Sequence, residues 1–430
     1  MARTLTPIDA YALINALVVQ ATGQDTMQAT DLSSFISAGE LILSTGMENV
    51  FNAINIVLGR LIIASRPYKG RLNMMTAENN DIYTSRLRKV SFYADGADPA
   101  GNFNTNLFTN FAQGFTAGEN VSGGTPSSTK SQWEQHHPIP LEMNFGGASV
   151  WQDCITLTED AVKYAFRGPD EFNRFVAGYI QEHANDIESQ KEAWNRAGLL
   201  NKIGSTFNYN NSNQLINLTA AYNARFNPNG TPYTTAELTS TYLAEFLKFF
   251  VSTFKLASEF LTQRTALYNN APVYTDANSV DHYILRHTPY RDQRVYLYSP
   301  LFTEAEAWVM PEIFRPGYLD INTQYEPVTY WQSLDNRAGI SVTPAISDLD
   351  STSPTYGTQI QGSAVAEDMI VGVIMDKDAL MTSFNLQRVD TTALEARKHY
   401  RNTWLSMAKN ICDDPTEQCV VFYMADPATP

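Results

Sequence analysis

Phe172, Phe175, Val176, Tyr179, Ile180, His183, Ile187, Trp194 and Leu200 recur at three- and four-residue spacing. That period predicts one helix over residues 169–200. Pro169 suits the first helical position, and Asp170 and Glu171 place negative charge at the positive end of the helix dipole. At about 1.5 Å per residue such a helix is roughly 48 Å long. It carries no strict heptads, so it is expected to lie along a mixed domain. Phe175, Tyr179 and Ile187 are assigned to the packed face and Glu188 to the outer one.

A second stretch, 236–264, is apolar almost all round through Leu238, Tyr242, Phe246, Phe249, Phe250, Phe254 and Phe260, which predicts a buried helix. Two shorter helical patterns, 7–20 and 47–64, are joined by a polar stretch. Their apolar faces have few partners nearby in the chain, so they are expected to dock elsewhere or on a neighbouring molecule. Strand patterns occupy 81–93, 133–145, 280–286, 294–298, 369–375, 380–389 and 419–424, with a short helix at 304–311. The class is α+β.

Between the strand patterns at 81–93 and 133–145, residues 98–131 are rich in Gly, Asn, Ser and Thr. A structureless stretch of about 30 residues is uncommon inside a compact domain. A two-stranded projection lying on another subunit removes the difficulty, because Phe103, Phe108, Phe111 and Phe115 are then covered. The alternative is a surface loop.

Composition sharpens that picture. Charged residues make up 17% of the chain, against about 25% in ordinary domains, while aromatics reach 12%. Low charge with many aromatics is the composition of protein–protein interface cores. The net charge of −15 speaks against a protein whose task is to neutralise phosphates. Residues 60–89 nevertheless carry +5, and the other residues sum to −20. Arg86, Arg88 and Lys89 are therefore expected against carboxylates of an adjacent subunit, where complementary charge speeds correct encounter. Cys154, Cys412 and Cys419 are too scattered for a disulfide framework, and no CxxC is present. The apolar runs at 10–19 and 53–64 are interrupted by Asn15, Asn55 and Arg60, so no membrane segment is expected.

Few residues offer chemistry. No GxSxG, Walker loop, GxGxxG or HExxH occurs. His136 and His137 are adjacent, so in a strand they face opposite sides and do not share a metal. His282 and His287, with Asp281 and Asp292, form a weak metal candidate. Asp376, Lys377 and Asp378 read as a turn with solvated charge, and Cys154 as a buried inert thiol. No catalytic residue, metal or cofactor is expected, and the protein is read as a non-enzyme. A hydrolase or carbohydrate-active enzyme using an Asp/Glu pair is the alternative from another class.

The order of the parts resembles a known family. The Gly/Asn-rich segment with its basic flank precedes NFGGASVWQDCITLTEDAVKYAFRGPDEFNRFVAGYIQEHANDIESQKEAWNRAGLL; later come VDHYILRHTP, EAEAWVMPEIF and GVIMDKDALMTSFNLQRVD; last is ARKHYRNTWLSMAKNICDDPTEQCVVFYM. Over about residues 60–425 this resembles the Hong Kong 97-type major capsid proteins of tailed bacteriophages. The resemblance implies an N-terminal arm at 1–70 and an extended E-loop at 71–148. A P domain at 149–215 and 379–430 would carry a long spine helix at about 165–203, and an A domain would span 216–378. It implies subunits assembling with copies of themselves into pentamers and hexamers of an icosahedral shell around double-stranded DNA. Scaffolding and portal proteins are the implied partners, with a decoration protein as an optional one, the DNA held non-specifically at the inner surface, and no membrane. Synthesis and assembly would fall in the host cytoplasm and the product in the virion capsid. Arg86, Arg88, Lys89, Phe103, Phe108 and Phe111 would be inter-subunit contacts. A portal or tail subunit is a further alternative.

Overall fold

The computed structural model describes residues 7–25, 27–46, 49–50, 53, 70–76, 86–94, 138–146, 149–277, 279, 281–301, 303, 324–395 and 397–426. In chain order the elements begin with α1 (Pro7–Thr22), α2 (Leu32–Ser44), β1 (Arg86–Phe92), β2 (Pro140–Gly146), β3 (Ser149–Thr158), α3 (Glu159–Ala165) and α4 (Pro169–Tyr209). Next come β4 (Leu215–Asn217), α5 (Leu218–Phe226), α6 (Thr235–Thr239), α7 (Leu243–Leu261), β5 (Tyr274–Thr275), β6 (Asp281–His282), β7 (Gln293–Tyr298) and β8 (Gln324–Val328). The chain continues with β9 (Ile340–Val342), β10 (Ala345–Ser347), β11 (Gln359–Gln361), β12 (Val365–Glu367) and β13 (Met369–Asp376). It closes with β14 (Leu380–Thr391), β15 (Tyr400–Asp413) and β16 (Cys419–Met424). Two compact units result: Met1–Ser85, Gly147–Asn195 and Thr382–Asn410 form the first, and Arg86–Gly146, Arg196–Met381 and Ile411–Pro430 the second.

In the first unit the N-terminal helices are part of the core. Ala10, Ile14, Leu17 and Val18 form one stripe of α1, and Phe35, Ala38 and Ile42 one stripe of α2. They close on Leu157, Val162, Ala165, Phe166 and Phe172. Phe35 meets Tyr11 and Phe172 edge-on, with ring centroids 6.0 and 5.8 Å apart. Gly39 lets Phe166 approach closely, since a Cβ there would stand 3.0 Å from the Phe166 Cβ. These helices thus dock elsewhere on their own chain, the first of the two alternatives anticipated. The polar stretch after α1 contains α2, whose serines at 33, 34 and 37 dilute the periodic signal. Asp31 starts it by accepting from the Ser34 amide at 2.7 Å. Of the helix anticipated at 47–64, only residues 49, 50 and 53 are described.

The sheet of this unit has the order β14-β15-β3, with β15 antiparallel to β3 from Tyr400↔Thr158 to Lys409↔Ser149. The long helix is confirmed, but α4 runs on to Tyr209; residues 169–195 belong to the first unit and 196–209 to the second. Of the face anticipated as packed, Ile187 is buried, Phe175 packs against the N-terminal core, and the Tyr179 side chain lies outside the described residues; Phe172 is buried as well. Glu188 is a correction, being buried rather than outward. The Gly70 amide donates to its carboxylate at 3.5 Å, and Lys191 pairs with it at 3.1 Å. Asn195, one turn or so further on, donates to Leu72 O at 2.9 Å and accepts from Thr382 Oγ1 at 2.5 Å. The segment 70–76 covers the face that sequence left to solvent.

The second unit is built on a five-stranded sheet of order β4-β16-β13-β7-β8. Its centre, β13, is apolar from Met369 to Met375, as a strand covered on both faces must be. Gly372 interrupts it because a Cβ would come within 2.5 Å of Leu297 Cδ2. Helix α7 lays Phe250 and Phe254 on Phe422 of β16, at 5.8 and 5.6 Å. The single helix anticipated at 236–264 is split. Thr234 and Glu237 form a capping box on α6, and the Thr239 and Ser240 hydroxyls turn back onto Thr235 O and Ala236 O, which ends that turn. Of the strand anticipated at 280–286, only Asp281 and His282 pair as β6, with β5. The helix anticipated at 304–311 lies outside the described residues.

Candidate functional site

With no nucleophile–base pair to follow, the basic segment at residues 86–89 directs attention to β1. It pairs antiparallel with β2 from Arg86↔Gly146 to Phe92↔Pro140, a two-stranded ribbon flanking residues 95–137. Phe103, Phe108, Phe111 and the His136–His137 pair lie outside the described residues. One face of the ribbon carries Arg88, Val90 and Phe92 opposite Asn144, Glu142 and Pro140, and all six are exposed. Val90 is 46% and Phe92 56% accessible, so apolar surface stands open on a ribbon that also carries charge. Arg88 donates to Glu142 at 2.7 Å, and that hydrogen bond holds the Glu142 carboxyl below its ordinary range.

The other face is inward. Lys89 Nζ meets the Asp414 carboxylate and, at 2.6 Å, Glu417. Arg286 lies 3.3 Å from Glu417 and donates to Ser91 Oγ at 2.6 Å. Burial alone would lower the Lys89 pKa, but the Asp414 and Glu417 charges outweigh it and hold it above its usual value. Burial raises the Glu417 carboxyl despite Arg286 and Lys89. Of the cations anticipated at a subunit contact, Arg88 and Lys89 therefore both meet carboxylates of their own chain, Arg88 on the exposed face and Lys89 on the inward one. Asp414, Glu417 and Arg286 were not singled out from sequence. The DDPTEQ run at 413–418 reads as an ordinary polar turn, and nothing local pairs it with a lysine more than 300 positions earlier.

A second buried network sits beside that turn. Lys202 Nζ bonds Asp413 Oδ1 at 3.0 Å and Asp414 O at 2.7 Å, while Asn201 and Ser205 donate to Asp413 Oδ2 at 2.8 and 3.3 Å. Every polar group here has a partner, the condition under which an interior ion pair is tolerated.

The candidates for chemistry disperse. His282 is buried, with Nδ1 3.3 Å from Ala94 O and Nε2 3.6 Å from Asp276, whereas His287 is exposed. Asp281 accepts from Thr275 and Asp292 pairs with Lys377, so the four residues face different partners. Asp376 corrects the solvated-turn reading, since it is buried and burial raises its carboxyl pKa. Cys154 is half-buried rather than buried; burial, then Asp153, raises its thiol pKa, away from the reactive thiolate. Among the described residues no cluster of three His, Cys, Asp or Glu side chains could hold a metal, and no helix is long and apolar enough to cross a membrane.

Residues 153–423 match the model of the Phi29-like phage major capsid proteins. The match spans more than half of the chain and defines the class, a structural protein of a phage virion. The chain belongs to the Phi29-like phage major capsid protein family, and its place is the capsid. Solved structures are similar at low identity. The capsid structure of Staphylococcus phage Andhra shares 13% identity over 83% of this chain and 84% of that one, with a TM-score of 0.46. A structure of the head fiber and inner core protein of native bacteriophage P68 shares 11% over 83% and 85%, at 0.44. The mature capsid of bacteriophage PhiM1 shares 9% over 84% and 89%, at 0.38. No curated protein matches the chain.

Proposed function

We propose that this capsid protein builds an icosahedral shell as pentamers and hexamers of a Hong Kong 97-type subunit, with no catalytic role. In that reading residues 1–70 are the arm, 71–148 the E-loop, 149–215 with 379–430 the P domain, and 216–378 the A domain, and α4 is the spine. The observation that supports it best is the pairing of one very long helix with a two-stranded ribbon whose outer face leaves Val90 and Phe92 open to solvent. Exposed apolar surface on a ribbon is a liability in an isolated molecule and an asset where another copy covers it. Arg86, Arg88, Phe103, Phe108 and Phe111 contact the adjacent subunit, and Lys89 acts from within by seating the ribbon. Separate scaffolding and portal proteins direct assembly in the host cytoplasm, an optional decoration protein binds outside, and DNA is enclosed without sequence-specific contacts. Co-expression with the candidate scaffold followed by negative-stain microscopy tests this. Closed shells with five- and six-fold capsomers are expected, and tubes or only monomers with an active scaffold present would overturn it.

A further inference from the structure

Strand β1 takes no part in the five-stranded sheet; β2 is its ladder partner. A two-stranded ribbon has little stability of its own in water, so its position depends on what lies beneath. On the inward face Leu141, Met143 and Phe145 of β2 are only half-buried, an adaptable seat that does not by itself set one orientation. The directional contacts come from β1. Lys89 reaches Asp414 and Glu417. Ser91 accepts from Arg286, whose guanidinium also donates to Thr416 O and Oγ1 at 3.3 and 3.2 Å. Just past the strand, the Ala94 amide donates to Tyr283 O at 2.8 Å, and the Tyr93 and Tyr274 rings lie 5.9 Å apart.

The receiving turn does not need β1 to hold its shape. Asp414 Oδ1 accepts from the Thr416 amide at 2.8 Å and hydroxyl at 2.7 Å, and the Asp414 amide donates to Ala379 O at 2.9 Å. We propose that Lys89, Arg286 and residues 414–417 form an ionic clasp that seats the β1–β2 ribbon in one orientation on the subunit and can open without unfolding the sheet beside it. Both cations act on one carboxylate, Glu417, so the clasp behaves as a unit: either cation's loss leaves buried negative charge that water enters to solvate. Opening frees the ribbon alone, because no ladder bond of the five strands passes through it.

Hydrogen exchange of the purified full-length protein tests this with Lys89→Met and Arg286→Met. Both variants should exchange the amides of 86–92 and 140–146 at least about tenfold faster, the signature of local opening, while those of β13 and β16 keep their wild-type rates. Lys89→Arg, which retains the charge, should stay within about threefold of wild type. Unchanged ribbon exchange in either variant overturns the proposal. So does equal acceleration in β13 and β16, or failure of either variant to fold, because the contacts would then belong to the fold and not to a separable latch.

Discussion

At the scale of single residues, the buried charges carry the sharpest consequences. Lys202 is 3% exposed and bonded to Asp413; replacing it by Met leaves that half-buried carboxylate and the Asp414 carbonyl short of a donor and should cost about 1–3 kcal/mol of stability, read from a denaturant midpoint. Gly372→Ala drives a Cβ into Leu297 and should cost about 1–3 kcal/mol, whereas alanine at the surface position Val19 should stay within about 0.5 kcal/mol. Protonation follows from the same burial. The carboxyls of Asp376 and Glu417 are raised in the folded state, so between their unfolded and folded pKa values the native protein holds more protons than the unfolded chain. Stability should therefore fall as pH rises through that window, and Asp376→Asn should flatten the slope there. Lys89 and Lys202 are shifted upward as well; their contribution is full below the ordinary lysine value and disappears as pH rises through the folded one. Urea titrations at a series of pH values separate the two windows.

At the scale of elements, the first N-terminal helix was legible as a helix but not as part of a core, and α2 was not legible at all. Periodicity reports which face of α1 is apolar; it does not report that Phe35, Phe166 and Phe172 wait for that face. Because Ile14 is fully buried, Ile14→Ala should cost about 2–5 kcal/mol, measured by thermal or chemical denaturation of the subunit before assembly. A near-neutral result would mean that α1 is not docked on its own chain. Helix α4 illustrates the opposite limit. Its start was readable from Pro169, Asp170 and Glu171, but its last turns contain Gly204, Ser205, Thr206 and Asn208, which sequence reads as a stop. They continue as helix because tertiary bonds hold those turns in place: Ser205 donates to Asp413 at 3.3 Å, Asn208 to Ser363 O at 3.0 Å and Tyr209 to Ser347 O at 3.1 Å.

At the scale of the whole molecule, family membership makes assembly the activity to measure. Reversing Arg86 and Arg88 to Glu should leave the circular dichroism of the subunit unchanged while slowing shell formation, most strongly at low ionic strength, where charge complementarity acts at longest range. Assembly at the wild-type rate would remove the basic segment from docking. The amino-acid sequence by itself determined the α+β class, the long helix, the central strands β7, β13 and β16, and the kinship to a capsid family, because each is written in local periodicity or in the order of elements along the chain. Tertiary structure alone decided that Glu188 turns inward under Gly70, that the arm closes its own core, and that Lys89 meets Asp414 and Glu417. Those outcomes join residues from 118 to 328 positions apart. A polar side chain has the same local pattern whether its partner is water or a carboxylate from the far end of the chain, and only packing brings the two together.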